Sequence, residues 1–466
     1  MDLGITQSAD DRIKAGKTGL QLVSDNFDAM AVRVLAARSA IHSLDLMYYL
    51  WHDDHSGRAL MQEVVGAAER GVRVRILLDD MNPQKSDGAY LALNAHQNIE
   101  LKLFNPSGLR NGSWLRYVEL VSRLFAMTRR MHHKAWLVDR RIAIVGGRNI
   151  GDAYFGAAET NFRDLDFLLQ GAAVQQTQNI FEAYWNCAAA RRIDTLHPLG
   201  SAERLDSLGA NSIGDDDRIF GNISARMSID EFISMGNSVH WTENARVISD
   251  PACKVFGGAP ENWLINELLP ILAGSRSNLE IVSPYFIPGR PGLSLLSGLV
   301  ERGVDVSVLT NSLAATDVVF VHGAYANYRG PLLRAGIKLF ELQPFKGERN
   351  ISVFGSKGAS LHTKAFTIDG RIGFVGSFNF DPRSVSLNSE MGVLFEDEGL
   401  TAELNERIEG EKAPRTSYRV SLEGGHLRWR DEVDGDICSY RHEPGAGIYR
   451  KALARLVRHL PIESQL

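Results

Sequence analysis

Residues 43–51, SLDLMYYLW, alternate along the chain as a strand does. In GRALMQEVVGAAERG (57–71) the period changes: Leu60, Val64 and Ala67 or Ala68 fall on one helical face, and Gly71 ends the run. VRVRILL (72–78) then reads as a short buried strand. NLEIVSPYF, PGLSLLSGLVERG and VDVSVLT give the same strand, helix, strand order further on. That order implies a right-handed crossover and a mostly parallel or mixed sheet covered by helices.

The second set of elements is a repeat of the first. QLVSDNF (21–27) resembles RVISDPA (246–252), and RGVRVRILLD (70–79) resembles RGVDVSVLTN (302–311). HHKAWLVDRRIAIVGGRN (132–149) matches HTKAFTIDGRIGFVGSFN (362–379) without a gap, 230 positions apart. The chain therefore reads as a duplicated domain, with copies at 19–190 and 245–400. A loop-rich connection (191–244), containing GSAERLDSLGANSIGDDDR (200–218), joins them. A C-terminal tail (401–466) ends in GIYRKALARLVRHLP. There Ile448, Ala452, Leu453, Leu456, Val457 and Leu460 share one helical face, and Arg450, Lys451, Arg455 and Arg458 the other. Such a helix either lies on an anionic membrane surface or docks on the domain. SWLRYVELVSRLFAMTRRM (113–131) offers the same choice, and its position makes it a candidate lid or lipid-contacting segment.

Composition narrows the class. At 466 residues, 44% hydrophobic and 23% charged, the chain is expected to fold as a two-domain globular protein. A net charge of −5 argues against a general coat for nucleic acid. Cys187, Cys253 and Cys438 form neither a disulfide framework nor a metal-ligand spacing, so a reduced compartment is expected. The first residues have no basic start and apolar run, so no secretory leader is expected. No apolar stretch reaches about 18 residues, so any membrane role is expected to be peripheral.

The longest repeat carries the candidate chemistry. LHTKAFTID reads as a strand, which sets His362 and Lys364 on one side and turns Thr363 away. The DG at 369–370 signals a hairpin, and RIGFVGSFN returns with Gly376, Ser377 and Asn379. The first copy supplies His132, Lys134, Asp139, Gly146, Gly147 and Asn149. His133 stands where Thr363 does and is expected to be a bystander. A histidine, a lysine and neutral donors suit a phosphate oxyanion. Two half-sites across a two-fold would set one histidine as nucleophile and the other as acid for the leaving group. The two lysines supply enough charge that no metal or other cofactor is required. Asn149, Ser377 and Asn379 are candidate phosphate ligands, with turn capping as the alternative. An imidazole also needs an orienting partner. Glu390 opens a strand after the second motif. After the first, Asp164 aligns with Glu390, and Asp166 has the same strand parity. Asp139 and Asp369 belong to the repeated set, but their odd offset and turn positions favour a structural hydrogen-bonding role. WHDDHSG (51–57) could bind metal through His52, Asp53, Asp54 and His55, but reads better as a polar loop entering a helix. His322 and Tyr325 either pack in a helical core or, as the resemblance given next suggests, line an entrance.

These residues resemble the phospholipase D superfamily, whose signature His-x-Lys-x4-Asp then Gly-Gly/Ser-x-Asn occurs twice per chain. His132, Lys134, Asp139, Gly146, Gly147 and Asn149 match it once; His362, Lys364, Asp369, Gly376, Ser377 and Asn379 match it again. VGGRNIGDAYFGA, LTNSLAATDVVFVHGAYANYR and GSFNFDPRSVSLNSEMG narrow the resemblance to bacterial cardiolipin synthases of the C type. The resemblance implies an α/β fold of two repeated α/β/α sandwich domains packed as a pseudo-dimer, with the site between them. It implies phosphatidyl transfer from phosphatidylglycerol, or from another phospholipid such as phosphatidylethanolamine, to a second phosphatidylglycerol through a phosphohistidine. His132 would be the nucleophile and His362 the acid and then the base. The implied setting is cytoplasmic, peripheral to the inner membrane. A phospholipid hydrolase on the same scaffold is the main alternative. A nucleic-acid phosphodiesterase is disfavoured by the acidic balance, and a catalytically dead lipid-binding scaffold by two intact half-sites.

Overall fold

The computed structural model describes residues 3–81, 87–107, 129–196, 228–235, 239–344, 358–433, 435–458 and 460. The candidate lid at 113–128 and the connection at 200–218 lie outside the described residues.

The duplication is visible as two mixed sheets built alike. The first runs His240–Thr242, Thr18–Val23, Asp166–Gly171, Ile142–Gly146, Lys134–Val138, Ser43–Tyr48, Arg73–Asp79, Ile99–Phe104 and Ala190–Arg192. The second runs Ala245–Ser249, Met391–Glu396, Ile372–Gly376, Ala365–Ile368, Asn278–Val282, Asp305–Asn311 and Lys338–Leu342. It continues through three tail strands, Ser417–Glu423, His426–Val433 and Asp436–Tyr440, so the tail is part of this sheet. In each sheet three central strands are parallel, joined by helical crossovers, and the hairpin of the repeated motif pairs antiparallel beside them.

The first crossover helix runs His55–Glu69, two residues earlier than its apolar period alone predicts, because Asp54 caps it by accepting from the Gly57 amide. Leu60, Val64, Ala67 and Ala68 are fully buried on its inner face. The corresponding helix of the second half is Gly289–Glu301.

Helices cover both faces of each sheet. The outer faces form separate cores. The inner faces meet in one continuous apolar core that draws Leu20, Phe167 and Phe181 from the first half and Val375, Phe395 and Leu404 from the second. Phe167 and Phe395 meet edge to face at 5.5 Å. Apolar burial on this scale makes the two halves one packed body rather than beads on a linker. Two short backbone contacts also cross between them: Gly358–Leu361 pairs parallel with Thr160–Arg163, and Met131 bridges Ser389. Both lead directly into the repeated motif.

The C-terminal helix spans Ile448–Val457 and docks on helix Val319–Tyr325. Gly323 permits that approach, because a Cβ there would lie 2.9 Å from the Ala454 carbonyl oxygen. Ala454 and Val457 are buried at the contact.

Candidate active site

His132 and His362 do not lie within regular strands. The strands begin at Lys134 and Ala365, and each histidine precedes its strand on a segment held by the other half. The His132 amide donates to the Ser389 carbonyl at 2.8 Å, and the His362 amide to the Arg163 carbonyl at 2.8 Å. Ser389 and Arg163 immediately precede Glu390 and Asp164. Pinning the backbone there brings each imidazole onto the carboxylate of the opposite half. His132 Nδ1 lies 2.8 Å from Glu390 Oε2, and His362 Nδ1 lies 2.6 Å from Asp164 Oδ2.

These contacts fix the tautomers. His132 Nδ1 also faces the Ser377 carbonyl at 3.1 Å, so both of its neighbours are acceptors and Nδ1 carries the proton. The Nε2 lone pair is left free. For His362, ionised Asp164 likewise fixes the proton on Nδ1. Lys364 Nζ, 2.8 Å from that nitrogen, instead donates to the His362 carbonyl. Lys134 Nζ donates to the His132 carbonyl at 2.6 Å, repeating the arrangement.

Burial sets the charge states. It pushes the His132 imidazole down to about 4, against the pull of Glu390, so the ring is neutral near pH 7. Burial raises the Glu390 carboxyl, but His132, Lys134 and the Ser377 hydroxyl outweigh it and hold the group at about 2. Asp164 is likewise held low, since Lys364 and His362 outweigh its burial. His362 is lowered by burial and by Lys364. Burial brings Lys134 down to about 7 and Lys364 to about 8. An anion between these lysines would stabilise their charged forms.

The register of the paired strands settles which carboxylates correspond. Gly146 pairs with Asp166, and Gly376 with Gly392, so Asp166 matches Gly392 and Asp164 matches Glu390. Asp166 faces away from both histidines, into a buried cluster with Arg33 at 2.8 Å and Arg148 at 3.3 Å. The glycines of the motif make room for this geometry. A Cβ on Gly147 would lie 2.1 Å from Asp164 Oδ1, and one on Gly146 would lie 2.2 Å from Asp166 Oδ1.

Two expectations, for Ser377 and Asn149, require correction, and the motif aspartates take the structural place that their turn positions favour. Asp139 and Asp369 are not at the reacting centre. They sit at the far ends of their strands with φ of 51° and 54°. Asp139 accepts from the Ile41, His42 and Ser43 amides at 2.7–2.8 Å, and Asp369 from the Arg276, Ser277 and Asn278 amides. Each carboxylate therefore ties the hairpin to the start of the neighbouring strand. Ser377 is fully buried, and its hydroxyl donates to Glu390 and accepts from the Met391 amide, so it holds the carboxylate instead of facing a phosphate. Asn149 is already engaged, donating to the Tyr154 hydroxyl at 2.8 Å. Asn379 keeps a buried Oδ1 without a hydrogen-bond partner, which leaves its amide the freer of the two.

Other residues support the site that the motif did not reveal. Asp250 accepts from the Glu390 amide at 2.8 Å and is itself bound by Lys254 at 2.9 Å. Ser384 donates to Glu390 Oε1 at 2.9 Å. Tyr49 packs edge-on against His132, and Tyr154 and Phe162 against His362. Tyr154 and Ser384 stand at equivalent places, each five residues past the motif asparagine, so the 230-residue shift could have singled out the pair. His133 is buried against Tyr184, 4.3 Å between ring centroids, on the side away from the lysines.

His322 and Tyr325 pack in the core. His322 Nδ1 donates to the Asn311 carbonyl, and its Nε2 accepts from Arg329 at 2.6 Å. WHDDHSG is a capping loop: Asp54 also accepts from the Asp152 amide, and Asp53 pairs with Arg58. Among the described residues no group of three or more His, Cys, Asp or Glu could hold a metal ion.

Known proteins resemble this chain. The family model described as "Cardiolipin synthase, PLD-like domain" matches residues 35–185 and 268–411, one stretch in each half. Cardiolipin synthase C of Escherichia coli (strain K12) is 38% identical over 458 residues, covering 96% of each chain. An uncharacterized protein of Helicobacter pylori (strain ATCC 700392 / 26695) is 31% identical, over 94% of this chain and 88% of its own. Phosphatidylserine synthase of Haemophilus influenzae Rd KW20 superposes with a TM-score of 0.56 at 14% identity, over 89% of this chain and 92% of that one, a likeness of fold. With both halves matched and both histidine motifs intact, the chain belongs to the cardiolipin synthase, PLD-like family of the phospholipase D superfamily.

Proposed function

We propose that this chain is a phosphatidyltransferase that makes cardiolipin from phosphatidylglycerol through a phosphohistidine intermediate. The observation that carries the reading is the pair of crossed histidine–carboxylate dyads flanked by two lysines. His132 is the proposed nucleophile. Its Nδ1 proton is held by Glu390, and its neutral Nε2 is free to attack phosphorus. The bond from phosphorus to the leaving glycerol oxygen breaks, and His362 gives that oxygen its proton. An anionic phosphodiester beside His362 supports this role by raising the proton affinity of the ring. The terminal hydroxyl of a second phosphatidylglycerol then passes its proton to His362 and attacks phosphorus. The phosphorus–nitrogen bond breaks, and His132 is regenerated. Lys134 and Lys364 neutralise the phosphoryl oxygens throughout, and the Asn379 amide donates a hydrogen bond to one of them.

Phosphatidylethanolamine is the alternative donor, by the same chemistry with a different leaving alcohol. The proposed setting is the cytoplasmic face of the inner membrane, reached peripherally. No helix among the described residues is long and apolar enough to cross a membrane. The test is incubation of the purified protein with labelled phosphatidylglycerol vesicles, with and without phosphatidylethanolamine. Cardiolipin is the expected product. Phosphatidic acid alone would replace this reading with hydrolysis.

A further inference from the structure

The docked C-terminal helix leaves more apolar surface outside than it buries. Its docked line is Arg450, Ala454 and Val457. To one side runs an apolar strip of Tyr449, Leu453, Leu456 and Leu460, exposed by 93, 36, 60 and 42%. Ile448, 84% exposed, extends it. To the other side run Lys451, Arg455 and Arg458. They line a cleft of about 870 Å³, closed opposite by the tail strands with Arg428 and Arg441. Glu443 is its one carboxylate, and it is occupied by Arg329. Among the described residues no carboxylate lies within 4 Å of Arg441, Lys451, Arg455 or Arg458.

We infer that helix Ile448–Val457 is the membrane-docking element of this protein: its apolar strip enters the bilayer interface, and the cationic cleft beside it takes the phosphate headgroups of anionic lipids. An exposed apolar strip alone would fit many partners. A cluster of unpaired cations beside it, on a chain of net charge −5, selects an anionic surface. The helix is also tied to the rim of the reaction site. Arg450 donates to the Leu313 and Thr316 carbonyls, in the loop that follows strand Asp305–Asn311. Asp317 of that loop accepts from the Tyr285 hydroxyl at 2.7 Å, and the Tyr285 ring stands 6.5 Å from His362. Docking through this helix brings the bilayer to the edge of the site. The inference rests on the phospholipid reading of that site.

The test is vesicle flotation of the full-length chain, paired with turnover on short-chain phosphatidylglycerol in detergent micelles. Vesicles of phosphatidylcholine with and without one third phosphatidylglycerol are the probes. The wild type is expected to float with the anionic vesicles. Tyr449→Asp/Leu456→Asp and Lys451→Glu/Arg455→Glu are each expected to lower that binding about tenfold or more, with micellar turnover within twofold of wild type. Tyr449, Arg455 and Leu456 are exposed and Lys451 is half-buried, and melts matching the wild type will show that folding is preserved. Unchanged flotation of either variant overturns the inference. Loss of cardiolipin formation by the wild type in micelles would instead count against the proposed activity, whatever the flotation result.

Discussion

Glu390, in the second half of the chain, holds the imidazole of His132, 258 residues earlier, at 2.8 Å. Asp164 holds His362 in the reverse sense at 2.6 Å. Neither half therefore carries a complete histidine dyad. The shared apolar core does catalytic work indirectly, because any shift of one half against the other separates an imidazole from the carboxylate that sets its tautomer.

Neutralising either carboxylate should uncouple ring orientation from folding. Glu390→Gln and Asp164→Asn are each expected to lower kcat by about 10²–10⁴-fold. Each amide also removes a buried carboxylate that its partners hold ionised, so some loss of stability is expected and rates are compared per folded molecule. Initial rates of cardiolipin formation read the effect, and a rate within threefold of wild type would show that the crossed contacts are dispensable.

The charge states give a pH profile. His132 must be neutral to attack, and burial keeps it so above about pH 4. Lys134 and Lys364 must be charged to hold the phosphate, and in the free protein burial lets them lose protons near 7 and 8. His362 must be protonated to act as the acid, and burial and Lys364 hold it below its ordinary 6.5 in the free protein. The free protein governs kcat/KM, so kcat/KM should begin to fall at a pH below that value and fall further as pH rises through 7 to 8. A bound phosphodiester favours charged lysines, so the alkaline limb of kcat should lie at higher pH than that of kcat/KM. A kcat/KM that stays flat to pH 10 would mean that the lysines keep their protons by another means.

Much of this was legible in the chain because it is local or duplicated. The 3.6-residue period of 57–71 and the gapless match of 132–149 to 362–379 need no tertiary information. What escaped is set at long range. Order along the sequence puts Asp164 and Glu390 each after its own motif and says nothing about crossing. Strand parity could not separate Asp164 from Asp166, since both share it; the difference is what faces them, His362 for one and Arg33 for the other. Ser377 looked like a phosphate donor because hydroxyls suit oxyanions, but Glu390 is closer and already charged. Alternation carried the predicted strands through the histidines, whereas their amides bond to the opposite half and end the strands early.

Asp139 and Asp369 should act on stability alone. Asp139→Ala and Asp369→Ala each strip several backbone amides of their acceptor, an expected loss of about 1–3 kcal/mol in denaturant unfolding. The rate per folded molecule should be unchanged. The backbone donors outweigh burial and hold the Asp369 carboxyl below its ordinary 3.8. Its contribution is therefore present above that pH and is lost as pH falls through the lower, folded value. A large drop in kcat with unaltered stability would return these residues to the reacting centre.

Gly147→Ser would restore the symmetry of the two motifs and is nonetheless expected to damage the site. Its Cβ would meet Asp164 Oδ1 at 2.1 Å, displacing the carboxylate from His362. The expected loss approaches that of Asp164→Asn. Wild-type activity in Gly147→Ser would mean that Asp164 can retreat without releasing the ring.

Asp164 and Asp166 provide the sharpest contrast, since they are two residues apart and both buried. Asp166→Asn leaves Arg33 and Arg148 without their counter-charge in an interior position. Removing one member of such a cluster typically costs about 3–5 kcal/mol, so this variant should unfold at markedly lower denaturant concentration. The contact of His362 with Asp164 is untouched by it, so the folded fraction should turn over within a few-fold of the wild-type rate. Asp164→Asn should behave oppositely, less destabilised than Asp166→Asn and severely slowed. Measuring unfolding midpoint and kcat for both variants tests the assignment in one experiment. If Asp166→Asn lost kcat without losing stability, Asp166 would be the residue that orients His362, and the register argument from Gly146 and Gly376 would fail with it.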